Sequence, residues 1–249
     1  MTALEIVLVC VTGAGLAAAA AAVGWARALL VNKSENYTEL NKVAKTGGTV
    51  FLGDSLVEFF PLREFFADEI IYNRGCAGDT TADVTARLSN VTDIAPSRIF
   101  LLIGTNDLGK GTAPDEVADR VKNLCSALLS AIPGLQLNVI SLLPVSRRVR
   151  LLSPLVCARR TNEKLMRINY LLKKYCEGNR LNFIEVYPHL TDDAGDLKKE
   201  YTFEGLHLSI TGYLQFAKVL RPYICEGRTA DSPDAPPAAD AEVQLSEPQ

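Results

Sequence analysis

Five short apolar runs rich in β-branched residues recur along the middle of the chain: Thr49–Leu52, Glu69–Tyr72, Arg98–Ile103, Leu137–Leu142 and Asn182–Val186. Runs of this length and composition predict strands. The segments between them carry a helical period instead. In Pro114–Ile132, the residues Val117, Val121, Leu124, Leu128 and Ile132 fall at three- and four-residue steps, which puts them on one helix face. Pro114 suits a first helical turn, and Pro133-Gly134 ends the pattern. Thr161–Tyr175 repeats it through Leu165, Ile168, Leu171 and Leu172, and a last helix is expected from about Ser209 to Leu220. Strands alternating with helices imply a parallel sheet covered on both faces. In such a sheet, ligands sit in the loops at the carboxyl ends of the strands.

A different pattern occupies the start. Ile6 to Ala26 is 21 residues without a charge. As a helix it would span about 31 Å, enough for a bilayer core. Trp25 and Arg27 close it with an interfacial aromatic and a cation. Two readings stay open for residues 1–31, an uncleaved anchor and a signal peptide. The Ala17–Ala22 run offers Ala-x-Ala cleavage sites, but the start carries Glu5 and no Lys or Arg. A signal peptide wants a basic n-region, so the anchor is preferred. Gly13-Ala14-Gly15 also mimics a dinucleotide-binding turn. That turn needs a full βαβ unit, for which the chain has no room before residue 48. Residues 32–46 are polar and read as a tether or the lead-in to a domain at 47–226. Residues 227–249 hold Pro233, Pro236, Pro237, Pro248 and five acids, the composition of a disordered tail.

Composition narrows the class. The chain has 249 residues, 48% of them hydrophobic, and a formal net charge of -3. That balance excludes a mainly disordered chain and offers no basic surplus for nucleic acid. Cys76, Cys125, Cys157, Cys176 and Cys225 contain no C-x-x-C pair. They form neither a disulfide framework nor a zinc site, and they favour a reducing compartment. Arg27, Lys33, Lys42 and Lys45 follow the apolar segment, so an anchor would leave the domain cytoplasmic. A cleaved signal peptide would export it.

Candidate chemistry lies at the ends of the strands. Gly53-Asp54-Ser55-Leu56 follows the first. Ser55, its hydroxyl expected to be exposed, is either a nucleophile awaiting a base or an N-cap. Asn73 to Thr81, with Gly75 and Gly78, follows the second strand, and Gly104-Thr105-Asn106-Asp107 the third. A Gly78 N–H and the Asn106 amide are neutral donors suited to an oxyanion, and both residues equally suit plain turns. The two histidines are His189 and His207. His189 reads better as a surface residue. Glu204 precedes His207 by three residues, so its carboxylate can accept the Nδ1–H and leave Nε2 as the base.

Taken together, these four motifs resemble the GDSL/SGNH hydrolases, in the same order and over residues 47–226. The resemblance implies a flavodoxin-like three-layer α/β/α sandwich around a five-stranded parallel sheet. It implies a serine esterase without metal or cofactor, acting on short-chain acyl or O-acetyl esters of a small molecule, sugar or lysolipid. It casts Ser55 as nucleophile, His207 as base, and Ser55, Gly78 and Asn106 as the oxyanion hole. One residue departs from the family pattern: Glu204 stands where the family has Asp. A non-catalytic relative that binds acyl or glycan ligands is therefore the alternative.

The segment Pro144–Arg160 is 17 residues long, with Arg147, Arg148, Arg150, Arg159 and Arg160, no acid, and Leu151, Leu152, Leu155 and Val156. It is either a solvated basic loop or a surface for anionic substrate or lipid. Asp54, Arg147, Arg148 and Arg150 are expected at the substrate.

Overall fold

A computed structural model describes residue 15 and residues 33–225. Residue 15 apart, the apolar segment at 6–26 lies outside the described residues, as do its cleavage and the 227–249 tail. Among the described residues, no helix is long and apolar enough to cross a membrane.

Five strands form one parallel sheet in the order β2-β1-β3-β4-β5. They are β1 (Thr49–Gly53), β2 (Ile71–Gly75), β3 (Arg98–Leu102), β4 (Gln136–Ile140) and β5 (Asn182–Ile184). The helices are α1 (residues 33–41), α2 (Ser55–Glu58), α3 (Leu62–Phe65), α4 (Thr81–Ala86), α5 (Ser89–Thr92), α6 (Thr105–Lys110), α7 (Pro114–Ala131), α8 (Ser153–Cys157), α9 (Asn162–Asn179), α10 (Tyr187–Leu190) and α11 (Ile210–Cys225).

The strand order and the right-handed crossover rule assign the layers. From β2 through β3 and β4 to β5 the chain steps in one direction, so α4, α7 and α9 share a face. From β1 to β2 it steps the other way, which puts α2 and α3 on the opposite face. An aromatic cluster closes that second face. Phe51 stacks on Phe100 at 4.7 Å, and Phe60 meets Phe51 on one side and Tyr213 and Phe216 of α11 on the other. With both faces covered, Val50, Phe51 and Leu52 are all fully buried, as parallel strands require. The result is the three-layer α/β/α sandwich. Its strand order reverses at β1, so the crevice between the ends of β1 and β3 is the switch point where α/β sheets bind ligands.

Several element ends shift by a few residues from the sequence reading, and two differences have a cause in tertiary contacts. β2 lies later than Glu69–Tyr72 because tertiary contacts satisfy its polar residues. Asn73 Nδ2 donates to Val57 O at 2.7 Å, and Arg74 lies over the Tyr37 and Tyr72 rings. Residues 33–41, polar in sequence, are helical and docked. The Tyr37 hydroxyl donates to Gly75 O, Ser34 Oγ donates to Asn90 Oδ1 at 2.8 Å, and Arg74 Nη2 donates to Asn41 Oδ1 at 2.7 Å. That segment is a lead-in belonging to the domain rather than a free tether.

Candidate active site

β1, β2 and β3 end in register, with Gly53 opposite both Gly75 and Leu102. Ser55, Gly78 and Asn106 leave the sheet from that line two, three and four residues later, and so share one edge. Gly53 is forced there: a Cβ would come within 2.1 Å of Leu102 O. Asp54 caps α2 by accepting the Leu56 N–H at 3.0 Å. Ser55 then begins the helix, where a backbone N–H has no partner within the helix.

The other wall is a short strap between α10 and α11. Thr202 and Leu208 form a bridge, Thr202 Oγ1 donates to His207 O at 2.7 Å, and Gly205 N–H donates to Thr202 Oγ1 at 2.8 Å. Gly205 sits at φ +99°, and a Cβ there would fall 1.8 Å from Ser146 O. This turn holds Glu204 and His207 together. Glu204 Oε1 accepts both the His207 backbone N–H at 2.8 Å and Nδ1 at 2.5 Å. His207 Nε2 lies 3.0 Å from Ser55 Oγ. Nδ1–H held by the carboxylate leaves Nε2 to accept from the serine hydroxyl. The Phe59 ring packs 5.5 Å from the imidazole. His189 is exposed on α10 and takes no part.

Ser55 is 7% exposed, against the expectation of an open hydroxyl. Its Oγ is nevertheless within hydrogen-bond reach of the imidazole. Gly78 is exposed at φ +86°, in open space. Its loop is braced by Ala77 N–H donating to Glu58 Oε2 at 2.6 Å. Asn106 Nδ2 donates to Asp79 O at 2.9 Å, which joins the second loop to the third and leaves one amide hydrogen over.

Arg160 is the residue that sequence reasoning misplaced. Read as one of five loop arginines, it is buried beneath the crevice. Nη2 donates to Asn106 Oδ1 at 2.7 Å and Nε donates to Thr105 O at 2.9 Å. Holding Oδ1 on a cation fixes the amide so that Nδ2 is presented as donor. Gly109 clears its path, since a Cβ there would meet the guanidinium at 2.5 Å. Asp107 anchors the same loop by accepting from Thr81 N–H at 2.9 Å and Thr81 Oγ1 at 2.6 Å.

Asp54 is a correction. Expected at the substrate, it is fully buried, and Oδ2 has no hydrogen-bond partner. Burial pushes its carboxyl up to about 7, opposed by the Leu56 N–H and by the Arg160 charge. A side chain spent on capping inside the core does not reach a ligand. Arg147, Arg148 and Arg150 are also engaged away from Ser55 and His207. Arg147 Nη1 donates to Ala158 O at 2.9 Å, Arg148 pairs with Asp196 at 3.4 Å, and Arg150 Nε donates to Phe203 O at 2.6 Å. They brace the loop and the strap.

A three-layer α/β/α fold with a serine, a histidine and a glutamate in contact at its switch point is the arrangement of GDSL-type acylhydrolases. The chain belongs to the GDSL-like lipase/acylhydrolase family, whose model matches residues 51–214. It is similar to platelet-activating factor acetylhydrolase IB subunit alpha1 of Bos taurus, with 29% identity over 189 residues, 73% of this chain and 77% of that protein. The alpha2 subunit of Rattus norvegicus is 28% identical over 189 residues, again 73% of this chain and 78% of that protein. Among solved structures, one from Streptococcus pneumonia described as a platelet activating factor is 34% identical. It has a TM-score of 0.73 and covers 82% of this chain and 99% of that one. The lipase/acylhydrolase of Enterococcus faecalis, at 19% identity and TM-score 0.57 over 71% of this chain and 95% of that one, shares the fold.

Proposed function

We propose that the chain hydrolyses small carboxylic esters through an acyl-enzyme on Ser55. The observation that carries this reading is the unbroken chain from Ser55 Oγ to His207 Nε2 at 3.0 Å and from Nδ1 to Glu204 at 2.5 Å. His207 takes the hydroxyl proton as Ser55 Oγ attacks the ester carbonyl. The tetrahedral oxyanion is met by the Ser55 and Gly78 N–H groups and the Asn106 amide. His207 then protonates the leaving alcohol, and water repeats the sequence on the acyl group. Glu204 holds His207 by two contacts, at the backbone N–H at 2.8 Å and at Nδ1 at 2.5 Å.

Short acyl groups are the substrate class this reading favours, in keeping with the acetylhydrolase relatives. A panel of acetyl, butyryl and longer-chain esters tests this on the full chain. Turnover should be highest for acetyl and should fall roughly 10⁴-fold or more in Ser55→Ala. Wild-type turnover by Ser55→Ala would refute the assignment.

A further inference from the structure

We propose that the rim of the crevice formed by Leu151, Leu152, Leu155 and Phe203 docks on an anionic lipid bilayer. Leu151 is 94% exposed, Leu155 76%, Leu152 64% and Phe203 56%. Three leucines this open within five residues, at the edge of an enzyme crevice, form an apolar patch that solvent alone does not explain. Their position is fixed by the strap. Ser146 N–H donates to Gly205 O at 2.8 Å and Arg150 Nε donates to Phe203 O, so the leucines stand beside the turn that carries Glu204 and His207.

The charge around the patch selects the surface. Residues 144–160 hold five arginines and no acid. Burial removes Arg160 from this set and leaves Arg147, Arg148, Arg150 and Arg159 on the loop. Arg148 pairs with Asp196, and exposed leucines with the remaining arginines on the same loop match the boundary between acyl chains and anionic headgroups.

The direction of α1 is an independent argument. Its first described residue, Lys33, pairs with Glu58, whose carboxylate also braces Ala77 at the crevice edge. Beyond its far end, Lys45 N–H donates to the Tyr72 hydroxyl, and Gly47 N–H donates to Ala95 O at the opposite edge of the sheet. Residue 33, where the described stretch begins, therefore lies on the side of Ser55. Residues 27–32 span at most about 20 Å when extended. Before them stands the 21-residue uncharged segment of the sequence. The docking rests on the esterase reading only for its consequence, that esters are drawn from the membrane surface.

The test uses the full chain with Trp25→Phe and Leu152→Trp, which leaves a single indole, at position 152. It is mixed with phosphatidylcholine vesicles, with or without phosphatidylserine, carrying brominated acyl chains. Docking predicts blue-shifted emission that bromine quenches, more strongly with phosphatidylserine. Emission unchanged by vesicles overturns the proposal. So does a blue shift that bromine leaves untouched, since the apolar segment or a second copy then covers the rim. Equal quenching without phosphatidylserine overturns the anionic assignment. A second arm reads activity. Leu151→Ser/Leu152→Ser/Leu155→Ser should lower hydrolysis of a vesicle-borne ester at least about tenfold. It should keep a water-soluble acetyl ester within about twofold, and equal losses on both esters overturn the proposal. Should the wild type hydrolyse neither ester, the esterase reading fails, and the fluorescence still decides the docking.

Discussion

Ser55, Gly78 and Asn106 stand on one wall of the crevice, and each is placed by a different strand of the same sheet. His207 and Glu204 stand on the other, placed by a turn of a few residues outside the sheet. The first wall is rigid through contacts distant in sequence: Gly53 against Leu102, Asp107 on Thr81 and Arg160 on Asn106. The second is shaped by near neighbours, with Glu204 three residues from His207 and Thr202 five, and is tied to the rest of the domain at Gly205 by Ser146. A strand-placed donor depends on the whole core. A turn-placed pair depends on one glycine, one hydroxyl and the loop at Ser146 that the glycine lets approach.

Four substitutions break or sharpen that contrast. Glu204→Gln removes the charge that holds Nδ1–H and should lower kcat about 10²- to 10⁴-fold, with folding intact by circular dichroism. Full activity would mean that another group orients His207. Gly205→Ala strikes the backbone of the same wall. It forces a Cβ onto Ser146 O at positive φ and should cost about 2–4 kcal/mol in denaturant unfolding. On the first wall, Arg160→Gln loosens Asn106 without touching the nucleophile. Its kcat should fall about 10- to 100-fold with KM little changed, which separates a misplaced oxyanion donor from a lost binding contact.

The smallest effect concerns Asp54, which lies beneath both walls. Its carboxyl is raised from 3.8 to about 7 by burial. Between those values the folded state holds a proton that the unfolded chain has lost. This contribution to stability is complete below about pH 4 and is lost as pH rises through 7. Asp54→Asn keeps a cap for α2 and removes the titration. Relative to the variant, the wild-type Tm should fall by a few degrees between pH 4.5 and 7.5. A constant difference across that range would refute the assignment.

The sequence discloses the two walls unequally. Ser55, Gly78, Asn106, Glu204 and His207 were legible because each follows an apolar run or opens a helix, where glycine and short polar residues mark a loop. The parallel sheet was legible from its alternation with helices. Arg160 was not, since its burial depends on a loop folding back over Gly109, and nothing in its own neighbourhood distinguishes it from Arg159. Asp54 read as a ligand contact because a cap and a binding residue share the same side chain. The docking of residues 33–41 rests on Tyr37, Asn41 and Arg74 meeting across 30 residues and more, which no local period records.

The most direct measurement of the central claim is covalent capture. The full chain is treated with a fluorophosphonate, and the modified peptide is identified by mass spectrometry. The account predicts one adduct, on Ser55, slowed strongly in Glu204→Gln and absent from Ser55→Ala. An adduct on another residue, or labelling that persists in Ser55→Ala, would contradict it.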